Sequence, residues 1–458
     1  MPNIPLGVGD WGSATQDVQR LKLHNMYVVP NPTTVDGLSR VSRPTLTAQT
    51  TIGSGSISKI FQQNNVFNGD LLIVSGTTLY RTTTPGLVST SLGTLSGTDI
   101  PSFAAIEGKV FVVRNGALYY TTGGALAAIA MPGAEIVQSI ATINSYVIIS
   151  VKDTQKFFWL EPGSVVVNAL NFASAERIPD AIVDTQVIGD EVWFLGASGP
   201  EVWAPTGDVS PPFQRVTGRI YKEGCFSKDT VASTSIAGLP ALLWVTDNKA
   251  VVKSQGAPQK VSNEAVEELL KTSDTLSQWS FRYNRHDFYV LSSPLFTLVY
   301  DITSDLWARW DTYLLPYWVV QAGAQVNSTV YCGNVASNQL YKLDEGVSDN
   351  GLQVLREISG FVGNYAKPVS CSEVVAYVNS GWSPSYDIEP FLELRWSDDL
   401  GATWSDYVSA SLGNRGDFQR SVSFRSLGLI TDPGRVFEFR ISDLVRIRLD
   451  YVMMNERL

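Results

Sequence analysis

The feature that most constrains this chain is a hairpin that recurs along it. Residues 71–74 form a short apolar run, Ser75-Gly76 a turn, and Leu79-Tyr80 a second run. Residues 110–113 repeat the pattern through Asn115-Gly116 into 118–120, and 146–149 repeat it through Asp153 into 157–159. It returns at 192–194 with Val202-Trp203, at 242–245 with Val251-Val252, at 288–291 with 298–300, and at Val330-Tyr331 with Leu340-Tyr341. Alternating apolar content joined by Gly, Asn and Asp turns is the signature of paired strands. Marking each unit by Ile73, Val112, Ile148, Trp193, Trp244, Val290 and Tyr331 puts successive units about 36 to 51 residues apart. One four-stranded propeller blade takes about 40 to 50 residues, whereas a sandwich spaces its strands every 8 to 12. The spacing predicts an all-β chain with a β-propeller over 51–345, of about seven blades with six as the alternative count. Residues 1–50 are left as an N-terminal segment.

After residue 346 the beat stops. Longer alternating runs follow at 373–378, 390–396, 422–424, 436–441 and 445–451. They predict a separate C-terminal β-domain over 346–458, sandwich-like, beginning at the polar stretch 344–351. A helix fits in one place. Ser262 is set to cap 263–271, with Glu264 in the first turn, Val261 stapled onto Val266, and Val266, Leu269 and Leu270 on the buried face.

Composition narrows the functional classes. Net charge is -10 and the pI about 4.9, which excludes the basic footprint of a nucleic-acid reader. The most apolar stretch, 125–143, is broken by Met131-Pro132-Gly133 and Glu135, so nothing reaches the roughly 18 to 20 apolar residues of a membrane helix. The start of the chain lacks a basic then apolar pattern, so no secretory signal is expected. Cys225, Cys332 and Cys371 are odd in number and lack metal spacing, which predicts buried thiols and no metal site.

Catalytic signals are weak. His24 and His286 belong to no nucleophile constellation and read as turn or surface residues, and no Ser elbow is present. The run 53–59 is glycine-rich but has no closing Gly-Lys-Ser/Thr, so it is no phosphate loop. Residues 397–404 match the Asp-box pattern through Ser397, Asp399, Gly401, Thr403 and Trp404. That pattern is a hairpin turn: the Asp accepts backbone N–H groups, the Gly takes positive φ, and the Trp packs beneath. It is read as structural. Arg415, Arg420, Arg425, Arg435, Arg440, Arg446 and Arg448 crowd the last strands. In an acidic chain they point to a solvated or interface face rather than to nucleic acid, with Arg440, Arg446 and Arg448 as the interface candidates. No catalytic residue and no cofactor are assigned.

Residues 300–307, Tyr-Asp-Ile-Thr-Ser-Asp-Leu-Trp, resemble the strand–turn–strand of a kelch repeat in a single copy, which supports a blade. The order of several longer segments carries a second resemblance. These are 23–30 leading into 37–44; 221–225, 253–261 and the capped helix; 288–291 and 296–307; and the Arg-bearing strands of 425–451. In this order they resemble the tail accessory factor, or packaged-DNA stabilisation protein, of short-tailed bacteriophages. The resemblance implies a structural virion protein without enzymatic activity. Its expected form is a hexameric tail nozzle below the portal–adaptor ring, which extends the DNA channel and helps retain packaged DNA. The implied partners are that ring, a tail needle or plug, and tailspikes or fibres. Double-stranded DNA would pass without specific binding, and assembly would take place in the bacterial cytoplasm. The competing expectation is a sialidase-like glycan hydrolase, with Arg177, Arg215, Arg219, Arg282 and Arg285 as its arginines, or a non-catalytic glycan-binding propeller.

Overall fold

The computed structural model describes residues 3–7, 21–177, 179–208, 211–363, 367–382 and 389–457. Seven four-stranded antiparallel units follow one another in a ring. Blade one runs from Ile57–Phe61 to Ser89–Thr94, blade two from Ser102–Ile106 to Ala127–Ile129, and blade three from Val137–Ile143 to Phe172–Ser174. Blade four runs from Ile182–Ile188 to Phe213–Arg215, blade five from Ala232–Ile236 to Pro258–Lys260, and blade six from Ser277–Tyr283 to Leu306–Arg309. Blade seven takes three strands from Val320–Val326, Thr329–Asn334 and Gln339–Asp344. Its fourth, Thr45–Thr51, comes from the other end of the chain.

Local chemistry explains the hairpins. Asn115 and Gly116 both have positive φ, at 48° and 74°, the geometry a two-residue turn needs to match the strand twist. All seven marker residues fall on the second strand of their blades, and six of them are at 0% exposure. Burying each of the four aliphatic ones, Ile73, Val112, Ile148 and Val290, stabilises the fold by roughly 1.5–3 kcal/mol. They pack between blades. Separate apolar clusters lie between blades one and two, two and three, three and four, four and five, and five and six. Ile52, Ile57, Ile73, Ala322, Tyr331 and Leu340 join blade seven back to blade one, so the ring closes.

Two further sheets make a C-terminal sandwich. In one, Arg446–Arg457 pairs with Val369–Trp382 on one side and with Leu38–Ser42 on the other, and Met26–Pro30 follows. In the other, Gly434–Ile441 lies between Arg356–Gly363 and Phe391–Ser397. Leu23–His24 pairs antiparallel with that sheet and, at His24, parallel with Arg309 of blade six. Blade six and this sheet thereby form one nine-stranded sheet. A single apolar core runs through both sandwich sheets and blades six and seven.

Two expectations change. The N-terminal segment 1–50 is not a unit of its own: its described strands are shared between the sandwich and blade seven, and the propeller starts at Thr45 rather than 51. Ring closure needs an outer strand from the opposite end of the chain. Residues 1–2 and 8–20 of that segment lie outside the described residues. The helix is Glu264–Lys271, with Asn263 as its cap through Val266 N at 3.0 Å. Ser262 instead bonds Glu267 and accepts from Val251 N. Val266 and Leu270 are buried as expected, and Leu269 packs against the same cluster half-exposed.

Candidate functional site

The densest polar chemistry lies along the seam between propeller and sandwich. Arg43 is fully buried and grips Asp349 with two nitrogens, Nη2–Oδ2 at 2.6 Å and Nη1–Oδ1 at 3.1 Å. Its Nε donates to Asn25 Oδ1 at 2.8 Å, and Nη2 also donates to the Asp311 carbonyl at 2.6 Å. The guanidinium stands 5.3 Å from the Trp318 ring centre. Beside it, Lys22 Nζ lies 3.0 Å from Glu357 and 2.8 Å from the fully buried Glu438. Arg395 and the Tyr407 hydroxyl reach the other oxygen of Glu438.

His24 sits on the two-residue strand that joins the sheets. Its Nε2 is 2.8 Å from Asp311 and its Nδ1 is 3.5 Å from Glu357. Burial would lower the imidazole pKa, but bonds to Asp311 and Glu357 outweigh it and hold it above 6.5. Burial would raise Glu357, yet His24 and Lys22 hold it at about 2. His286, also expected at a turn surface, is 5% exposed, with Nδ1 2.6 Å from Asp301. Both histidines are thus structural links rather than surface residues. The sequence gives no local signal for the seam, because its partners are up to about 400 positions apart.

The arginines that crowd the last strands are engaged within the chain. Arg446 and Arg448 alternate on one strand and line a cleft of about 640 Å³ together with Tyr27, Asn31, Ser39 and Asn284. Arg446 pairs with Glu345 and Arg448 with Asp450, at 2.5 and 2.8 Å. Arg440 is not part of this cleft. It lies in the other sheet, pairs with Glu393 at 2.7 Å and covers the Tyr407 ring at 3.7 Å. Arg435 is 2% exposed and clasps Asp398, inside the Asp-box turn.

In that turn, Gly401 N donates to Ser397 Oγ at 2.7 Å, and Thr403 N donates to Asp399 Oδ1 at 2.8 Å. Trp404 Nε1 donates to the Gly401 carbonyl at 3.1 Å, and Gly401 has φ 102°. The Thr403 hydroxyl and backbone N–H, with Ser397, hold the Asp399 carboxyl at about 2. The turn lies in the sandwich. Of the hydrolase candidates, Arg177, Arg215 and Arg219 lie around blade four, while Arg282 and Arg285 are on the first hairpin of blade six. Arg219 pairs with Glu191, and Arg282 Nε is 3.5 Å from Asp287. The fold does not assemble these five into one group.

The first strand of each blade faces the propeller axis, where a cavity of about 380 Å³ opens. Lys59, Asp184, Lys228 and Asp229 line it. Lys228, between blades four and five, lies 3.8 Å from Asp99 in the connector between blades one and two. This contact bridges opposite sides of the axis. The cavity is far too small for a duplex whose major groove alone is about 12 Å wide.

The sequence profile of the phage stabilisation family, described as bacteriophage P22 Gp10, beta-propeller, matches residues 2–348. The chain belongs to this family. It is therefore a bacteriophage structural protein of the kind that stabilises packaged DNA, and a component of the virion. The matched span holds the whole propeller and the sandwich strands up to Ser42, and the sandwich strands from Arg356 onward lie beyond it. No curated protein matches the sequence. Among solved structures, BamB from Moraxella catarrhalis is similar over 73% of this chain and 97% of its own, at 10% identity and a TM-score of 0.39. YCF48 from Cyanidioschyzon merolae is similar over 66% of this chain and 98% of its own, at 11% identity and a TM-score of 0.41.

Proposed function

We propose that the protein is the subunit of a tail nozzle, a ring of six copies docked below the portal–adaptor ring, which extends the DNA channel and helps hold packaged DNA inside. Membership in the P22 Gp10 family is the observation that carries this reading. The size of the axial cavity supports one detail: the DNA path runs through the middle of the ring of copies, not through a propeller. A net charge of -10 suits a wall that duplex slides past, since carboxylates and phosphates repel. Such a ring needs head-to-tail contacts that close by rotation, and the Arg446–Arg448 cleft is offered as part of the contact with a neighbouring ring. A tail needle or plug and tailspikes or fibres would complete the tail, with assembly in the bacterial cytoplasm. No reaction is assigned to the protein.

The test mixes purified protein with and without a phage portal–adaptor complex and reads mass by light scattering, with negative-stain images of any rings. Rings of about six copies, alone or on the adaptor, are the expected result. A monomer that ignores the adaptor would overturn the reading.

A further inference from the structure

Two opposite charges of the axial cavity, Lys59 and Asp229, have not met, whereas Lys228 reaches Asp99 and Asp184 accepts from Gln186 Nε2 at 2.8 Å. Lys59 projects from the first strand of blade one, directly after a β-bulge between Ile57 and Lys59, and Asp184 follows the same kind of bulge in blade four. A bulge inserts one residue and re-aims the next side chain, a device common beside functional sites. Among the described residues, no carboxylate lies within 4.0 Å of Lys59 Nζ, and no hydrogen bond ends on it. The half-buried Asp229 carboxylate likewise has no donor. Gln278 gives its Nε2 to the Val231 carbonyl, while its buried Oε1 has no donor. At the cavity wall Phe61 and Phe103 stack with centres 5.2 Å apart and planes 10° apart.

A fold that needed these charges only for stability would pair them, because desolvating an unpaired ion is costly. Here burial lowers the Lys59 pKa, raises Asp229, and lifts Asp184 to about 6. Lys59 and Asp229 line one cavity without pairing, and a pocket with a few convergent polar groups and perturbed ionisation is the place to look for a ligand. We propose that the axial cavity binds an α-carboxylate flanked by an N–H donor, the chemistry shared by a polypeptide C-terminus and a free amino acid. The carboxylate pairs with Lys59, the N–H with Asp229, and an adjoining side chain lies against Phe61 and Phe103.

Calorimetric titration of the full chain tests this with three probes: the tripeptide glycyl-glycyl-phenylalanine, its C-terminal amide, and free phenylalanine. The free-acid tripeptide is expected to bind in the millimolar range, with the amide at least tenfold weaker. Lys59→Met should remove binding and Lys59→Arg should keep it, both with the thermal midpoint of the parent. If phenylalanine matches the tripeptide, the ligand class stands and its source is a free amino acid. If only the tripeptide binds, the source is a chain end. Equal binding of acid and amide, binding unchanged in a folded Lys59→Met, or no saturable binding of any probe below about 10 mM would overturn the proposal.

Discussion

Replacing Arg43 by Met should be among the most damaging single changes in this protein. The side chain is fully buried and Asp349 is 2% exposed. Without the guanidinium, Asp349 keeps the Leu46 N–H at 3.1 Å but loses both short charged contacts. Asn25 Oδ1 and the Asp311 carbonyl each lose a donor as well. Removing one partner of a buried pair costs about 3–5 kcal/mol, because the other charge stays buried alone. Unfolding entropy of about 2.1 cal/mol/K per residue scales to roughly 1 kcal/mol/K for a chain of this length, so the midpoint should fall by about 3–5 °C. Differential scanning calorimetry on the full chain reads this. The double variant Arg43→Met/Asp349→Leu removes both charges and should recover more than half of the loss, since apolar replacement of a buried pair is often neutral. A single-variant drop below about 1 °C, or a double variant as unstable as the sum of both singles, would refute the reasoning.

The His24 link makes stability depend on pH. Because its folded pKa lies above 6.5, its contribution is complete below about 6.5 and disappears as pH rises through the folded value. NMR titration should show the raised midpoint, and His24→Gln should flatten the loss of stability in that window; a midpoint at or below 6.5 would contradict it. Ile73→Ala, at 0% exposure between blades seven and one, should cost about 2–5 kcal/mol. Val88→Ala, at 65% exposure, should stay within about 0.5 kcal/mol, and equal effects in denaturant titrations would deny that the ring closure is packed as described. Asp399→Ala removes the acceptor of the Thr403 N–H, so hydrogen exchange at Thr403 should quicken while blade-two amides stay unchanged.

Reading the sequence located the second strand of every blade, because alternation and turn chemistry are local and the central strands are apolar throughout. Trp193, Trp244 and Val290 stand out for that reason. The outer strands are harder to see. Those of blades two to five have only three residues each, too few to show a period. The closing strand, Thr-Leu-Thr-Ala-Gln-Thr-Thr, is mostly polar and pairs with residues about 290 positions away. The helix cap slipped by one because Ser262 and Asn263 are adjacent and both able to cap. The axial charges were invisible for a different reason: a bulge is one inserted residue, and the pattern around Lys59 and Asp184 does not record which way the backbone turns.

How the sandwich is held to the propeller follows from magnitudes. The nine-stranded sheet looks like the connection, but Leu23–His24 supplies only a two-residue ladder. Its backbone hydrogen bonds contribute about 1 kcal/mol each. The ions around it are compensated pairs, and assembling such pairs yields little net stability even though breaking one is costly. The shared apolar core is larger: Trp310, Trp318, Phe288, Phe437 and Phe439 are each at most 1% exposed and belong to one cluster with the sandwich strands. At roughly 25 cal/mol per Å² and 150–250 Å² per aromatic side chain, each contributes about 4–6 kcal/mol before conformational entropy is subtracted. Apolar packing therefore fixes the two domains as one body, and the polar seam sets their register. A load on the sandwich would pass into blades six and seven through that core.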